Sequence, residues 1–324
     1  MVIRWGLIGC GDIAEKRVAD AIIRDSNSQL LVACRRDEEK LVRFAERYGV
    51  EHWTTSAEEL IAREDVDAVY IATPVEMHAP QTASAAAAGK HVLVEKPMAM
   101  DSTQCQLMVD LCQQAGVQLG VAYYRRFYPV VARVKELIRS GVLGRPLSIL
   151  ATTGNPNRFP KDDWRVVRSQ GGGGPLMDIG SHRLDLFLDL FGEVVDVKAM
   201  CARSPDYEAE DMATLLVEFK AGQHGVLQCY FGTVDTPDRL EVIGTDGRVT
   251  IEDLNEGSLL AVTSEGETRE CHPPHENFHA PLIADFTAAV LRQTEPAVPG
   301  HVGLATNDII EAAYASFPVA SPDA

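Results

Sequence analysis

Three side chains in this sequence combine the types and positions needed to move a proton: Lys96, Asp178 and His182. Lys96 follows the apolar run His91-Val92-Leu93-Val94 and precedes Pro97, which places it at the end of a strand rather than on an open surface. Desolvation at such a position lowers the pKa of an ammonium group and makes it a competent partner for an alcohol or carbonyl. Position alone leaves a structural lysine equally open. Asp178 and His182 stand four residues apart behind a glycine run, Gly171 to Gly174. On a helix they share one face, where the carboxylate can orient or charge-stabilise the imidazole. A metal at this pair would need further ligands, and none stands at a readable spacing; Cys271-His272 with His275 has two prolines between and no second cluster nearby, so no metal is expected.

A second constellation implies a dinucleotide. Directly after an apolar run comes Gly9-Cys10-Gly11-Asp12-Ile13-Ala14, a Gly-x-Gly-x-x-Ala turn opening a helix. Gly9 permits the tight turn, Gly11 admits a pyrophosphate against backbone, and Ala14 lets the helix pack closely, with the phosphates at its positive end. The next strand ends in Cys34-Arg35-Arg36-Asp37. Two guanidiniums where NAD enzymes carry an acid favour NADP over NAD, and Asp37 reads first as a helix cap. Thr73, Pro74 and His78, and Glu95-Lys96-Pro97, fall at later strand ends, where open α/β sheets bind ligands.

These residues need a scaffold of alternating strands and helices. Near-continuous apolar runs at 3–8, 30–34, 68–72, 91–94 and 117–121 have the pattern of strands buried on both faces of a parallel sheet. Between them stand helix starts at Asp37, at Ser56 with Glu59 as a capping box, and at Asp101. After Tyr123 the rhythm changes to a helix near 129–140, a long polar loop, the glycine run with its helix, and then strands from 194 to about 270. Helices return near 278–292 and 302–314. The fold class is therefore α/β: a doubly wound Rossmann domain over 1–123, then an α+β domain over 124–324 with an antiparallel sheet. The C-terminal helices are free to pack back on the first domain.

The 324 residues suffice for two cores. With 30 Lys and Arg against 47 Asp and Glu, a net charge of -17, the chain repels phosphate backbones and anionic membranes, so neither nucleic acid nor membrane is an expected partner. No segment has the leader pattern or the apolar length of a targeting or membrane-spanning element. Seven scattered cysteines fit reduced thiols in the cytoplasm.

Taken together, the Gly-x-Gly-x-x-Ala start, Ala88-Gly-Lys-His-Val92, Glu95-Lys96-Pro97 and the glycine run followed by Asp178-Ile179-Gly180-x-His182 resemble the Gfo/Idh/MocA family of glucose-fructose oxidoreductases, inositol dehydrogenases and rhizopine catabolism proteins. The resemblance spans nearly the whole chain. It implies an NAD(P)-dependent oxidoreductase that exchanges a hydride with a CH-OH carbon of a sugar, polyol or related small molecule, a substrate-binding and oligomerisation domain over 124–324 with a large, open, mainly antiparallel sheet, and a homodimer or homotetramer. It further implies a catalytic group of Lys96, Asp178 and His182, and a cis Lys96–Pro97 peptide shaping the nicotinamide pocket. Thr73, Pro74 and His78 would line the nicotinamide and its ribose. Tyr124, Arg126, Trp164 and Arg165 match positions near cofactor or substrate, and Val75 departs from the family's usual Asn. The opening Ile3–Cys10 looks most like the anhydrofructose reductase and sugar or dihydrodiol dehydrogenase branch. Rival readings are a non-catalytic NAD(P)-binding regulator, against which retention of all three proton-handling groups argues, and a glycosidase or lyase that cycles a tightly held NAD.

Overall fold

The computed structural model describes residues 2–316. Contacts divide the described chain into two compact units, residues 2–124 with 275–304, and residues 125–274 with 305–316. Sequence reading ends the first domain at 123 and assigns the rest to the second, with a return of the C-terminal helices allowed; the segment grouped with the first unit is 275–304. The division falls inside the final helix, Gly300–Ala315.

The first unit holds six strands: β1 (Ile3–Ile8), β2 (Ser28–Cys34), β3 (His52–Thr54), β4 (Ala68–Ile71), β5 (His91–Val94) and β6 (Leu119–Val121). They pair in parallel in the order β3-β2-β1-β4-β5-β6. The apolar runs at β1, β4 and β5 are almost wholly buried, which is what a strand covered on both faces requires. Strand β3, absent from the sequence reading, is a three-residue edge with His52 and Trp53 exposed.

Helix starts follow their caps. Asp37 accepts from Lys40 N at 3.1 Å and Asp101 from Gln104 N at 2.8 Å. The capping box at Ser56 is half formed: Ser56 accepts from Glu59 N, but the Glu59 carboxylate takes the Thr54 hydroxyl, and Ser56 N donates to Thr54 Oγ1 instead. The segment 275–304 belongs here for identifiable reasons. Phe286, on the helix Ala280–Arg292, packs against Trp5 with ring centroids 5.5 Å apart, Thr287 bonds Ser28, and Asn277 donates to Arg17 O.

The second unit is built on an eight-stranded sheet of β7 (Pro146–Asn155), β8 (Val194–Ala202), β9 (Met212–Phe219), β10 (His224–Phe231), β11 (Asp238–Gly244), β12 (Gly247–Ile251), β13 (Ser258–Thr263) and β14 (Gly266–Cys271). The order is β14-β13-β12-β11-β7-β10-β9-β8, and every pairing is antiparallel except β7 with β10. Strand β7 corrects the sequence reading, which runs a polar loop through these residues. A helix, Ser181–Phe191, preceded by a π turn over Leu176–Gly180, packs on this sheet at β10.

Candidate functional site

In the first unit the strand order reverses between β1 and β4, the point where open α/β sheets bind ligands. A cavity of about 570 Å³ opens there, lined by Gly9, Gly11, Arg35, Arg36, Thr73 and Pro74 among others. Gly9 has φ 93°, and a Cβ would meet Ala72 O at 2.5 Å, so the close approach of the two strand ends demands glycine. Nothing lies within 4 Å of where a Gly11 Cβ would stand, which leaves room for a group against the backbone. Asp12 is exposed and pairs with Lys16. The helix that follows opens with a π turn, Ala14–Val18, with Ile13 at its start; such turns interrupt helices mostly at functional positions. A dinucleotide's phosphates fit this cradle, with the helix's positive end beside them.

The two arginines after β2 divide their work. Arg35 donates to Cys10 O at 2.5 Å and pairs with Glu15 at 3.3 Å, bracing the glycine turn from outside. Arg36 is exposed at the cavity rim, and no ion pair is recorded for it among the described residues. The Asp37 carboxylate is engaged by Lys40, at both the backbone N–H and Nζ, which together hold its pKa below the ordinary value.

The Thr73 and Lys96 segments are tied together by His78. Its fully buried imidazole lies 2.9 Å from Thr73 O and 3.0 Å from Pro97 O, and burial pushes its pKa down, favouring the neutral ring. His78 therefore acts as a strut between two loops and does not line the cavity. The Lys96–Pro97 peptide is cis. Glu95 faces inward too: its carboxylate accepts the Tyr70 hydroxyl at 2.7 Å and lies 3.5 Å from His279 Nε2. Burial alone would raise Glu95, but His279 and Tyr70 outweigh it and hold the carboxyl below its usual range. Tyr124 covers this cluster, its ring 4.6 Å from His279 and 6.2 Å from Phe278, with Arg17 over it. Lys96, half-buried, thus stands on a floor of buried, mutually bonded polar groups. His279 and Tyr70 escaped the sequence reading because nothing in local spacing links them to Glu95.

In the second unit Asp178 lies within the π turn and His182 in the first turn of the helix behind it, 5% exposed. The π turn alters the phase of the helix between them, so the simple i,i+4 geometry of a regular helix does not apply. Asp178 pairs with Arg165, with Nε 3.5 Å from Oδ2; the same guanidinium lies over Trp164 at 4.3 Å and Phe159 at 5.1 Å. Trp164 and Arg165 are therefore brought to Asp178. Arg126 bonds Asp185 at 2.8 Å and Asp189 at 3.3 Å and is 11% exposed, so its charge anchors the helix. Burial pushes the Asp185 carboxyl up to about 7 in spite of that guanidinium.

With this geometry in view, comparison with known proteins is informative. Residues 3–123 match an oxidoreductase family with an NAD-binding Rossmann fold, GFO/IDH/MocA, and residues 131–250 match the GFO/IDH/MocA C-terminal domain. The chain is 33% identical over 287 residues to oxidoreductase P35 of Formosa agariphila, which spans 87% of this chain and 88% of that one. It is 31% identical over 311 residues to 1,5-anhydro-D-fructose reductase of Ensifer adhaerens, spanning 93% and 92%. Aldose-aldose oxidoreductase from Caulobacter crescentus, solved with glycerol, superimposes with a TM-score of 0.90 at 29% identity, covering 98% of this chain and 97% of that one. Among the described residues no helix is long and apolar enough to cross a membrane.

Proposed function

The chain belongs to the GFO/IDH/MocA oxidoreductase family, and from that membership we propose an NADP-dependent dehydrogenase or reductase acting on a CH-OH carbon of a sugar or polyol. The observation that carries the reading is the glycine-floored cavity where the parallel sheet reverses. Gly9, Gly11, Asp12, Ile13 and Ala14 would hold the pyrophosphate, Thr73 and Pro74 the nicotinamide side, and bound NADP would supply the hydride chemistry. The remaining work is proton handling. Lys96 polarises the substrate oxygen and relays its proton, His182 serves as acid and base, and Asp178 shares its charge between His182 and Arg165. A half-buried ammonium and a buried imidazole carry the exchangeable protons that these roles require.

The preference for NADP rests on Arg36. Among the described residues it is a cation at the cavity rim outside any ion pair, whereas the acid that would hold ribose hydroxyls in an NAD enzyme, Asp37, is already committed to Lys40. Arg36→Ala is expected to raise the KM for NADPH about 10- to 100-fold, the worth of a charge-assisted hydrogen bond or two, and to leave the KM for NADH within about twofold. Equal effects on both coenzymes would assign Arg36 to something other than the 2′-phosphate. The parent activity is tested by following NADPH and NADH absorbance in both directions against aldoses, ketoses, inositols and aldonolactones. Silence across that panel with coenzyme still bound would overturn the dehydrogenase reading. A homodimer or homotetramer is part of the same proposal, supported by Met200, Met212 and Leu216 standing exposed together on β8 and β9; light scattering checks it.

A further inference from the structure

Behind the turn that carries Asp178 is a buried carboxylate that no part of the proton-handling scheme uses. Glu210, 4% exposed, accepts from Gly174 N at 3.0 Å and from Leu176 N at 3.1 Å, and also from the Tyr314 hydroxyl at 2.8 Å. The start of a helix leaves backbone N–H groups without acceptors. Here the residue at the cap position is Pro175, which offers no side-chain acceptor. Glu210 supplies the missing acceptor from 34 residues away in sequence, and places a negative charge at the positive end of the helix.

The glycine run takes its composition from the same contacts. A Cβ on Gly174 would collide with the Glu210 carbonyl, one on Gly173 with the Tyr314 hydroxyl, and one on Gly171 with the Trp164 carbonyl. Side chains at these positions would push Glu210, Tyr314 and Trp164 off the loop. The run therefore does not cradle a phosphate with free amides, because two of its neighbouring amides are already bound to a carboxylate. Gly174 lets Glu210 come close, and Gly173 does the same for the Tyr314 hydroxyl. Arg168 lies 5.0 Å from the Tyr314 ring and closes the far side of the arrangement.

Resting on the proton-handling roles given above, we propose that Glu210 and Tyr314 are positioning residues: their carboxylate and hydroxyl clamp the amides of Gly174 and Leu176 and so fix the turn from which Asp178 and His182 are set. Asp178 follows Leu176 by two residues and lies in the same π turn. An error in the seating of Leu176 passes directly into that turn, and misplacement of a catalytic group by about 1 Å can cost on the order of 10²-fold.

Glu210→Gln keeps the shape and one acceptor but sets an amide NH₂ against one of the two N–H donors; Tyr314→Phe keeps the ring and removes only the hydroxyl. Both are assayed as the full chain, with kcat expressed per folded molecule from circular dichroism. The expected result is a fall in kcat of about 10- to 100-fold for Glu210→Gln and a smaller fall for Tyr314→Phe. The NADPH dissociation constant stays within about twofold, and the primary deuterium isotope effect on kcat grows as the chemical step slows. Amide hydrogen exchange at Gly174 and Leu176 speeds up in Glu210→Gln while the β1 to β6 amides are unchanged. Wild-type kcat per folded molecule in both variants, or unaltered exchange at those two amides, would overturn the proposal. A wild type that reduces or oxidises no sugar would sink the dehydrogenase reading instead, and the exchange comparison would then decide the clamp by itself.

Discussion

Lys96→Met is expected to lower turnover by roughly 10²–10⁴-fold, the span that general acid–base assistance contributes. Methionine matches the length and apolar stem of lysine but carries no proton, so the substitution tests the ammonium rather than the packing. The surroundings favour a clean result. The Lys96 backbone is held by Glu95 below it, and the adjoining Pro97 carbonyl by His78, and neither contact depends on the lysine head group. NADPH affinity should accordingly change little, and the loss should appear in kcat and kcat/KM alike, as for an interaction made only in the transition state. Single-turnover measurements with the best substrate of the panel provide the check. Turnover within about threefold of wild type would remove Lys96 from the mechanism.

Asp238→Ala is expected to cost about 3–5 kcal/mol of stability in the second unit, the usual result of deleting one partner from a buried ionic cluster. Asp238, at the start of β11, takes Arg125 at 2.9 Å and Asn255 at 3.0 Å, and also pairs with Arg183, which is 1% exposed. Arg183 is the residue after His182, so the cluster pins the same helix that carries the proposed acid–base group. Removing the carboxylate takes a counter-charge away from two enclosed guanidiniums, so their desolvation cost weighs more heavily. Asp238→Asn, which keeps the hydrogen-bond acceptor, should cost less. Urea unfolding monitored separately for the two units reads the effect, since a single transition cannot be assumed for a chain of this build. A loss under about 1 kcal/mol would mean that Asp238 is not the anchor its contacts suggest.

The first unit was legible because burial on both faces writes itself into sequence as unbroken apolar runs, as in Ala68–Ile71 and His91–Val94. Strand β7 lacked that signature. Its inward residues are Ile149, Ala151 and Thr153 and its outward ones Ser148, Leu150 and Thr152, so both faces mix polar with apolar side chains and no period of two emerges. Local chemistry carried the glycine turn and the Asp37 and Asp101 caps, each decided within a few residues. The supports of the site were invisible for the opposite reason: Glu95 with His279 and Glu210 with Tyr314 are joined across more than a hundred residues, and a lone acid in sequence does not name its partner. Arg126 looked like a substrate ligand by resemblance, and only tertiary packing revealed Asp185 and Asp189 around it.

The split of the first unit bears on how the chain is born. Residues 1–124 leave the ribosome long before 275–304, the stretch that brings Phe286 to Trp5 and Asn277 to Arg17. At synthesis rates of roughly 5–20 residues per second, the 180 residues from 124 to 304 take roughly 9–36 s to appear. For most of that interval the nascent parallel sheet has Trp5 and Ser28 without Phe286 and Thr287, which later pack on them, and this is the period when a chaperone has most to hold.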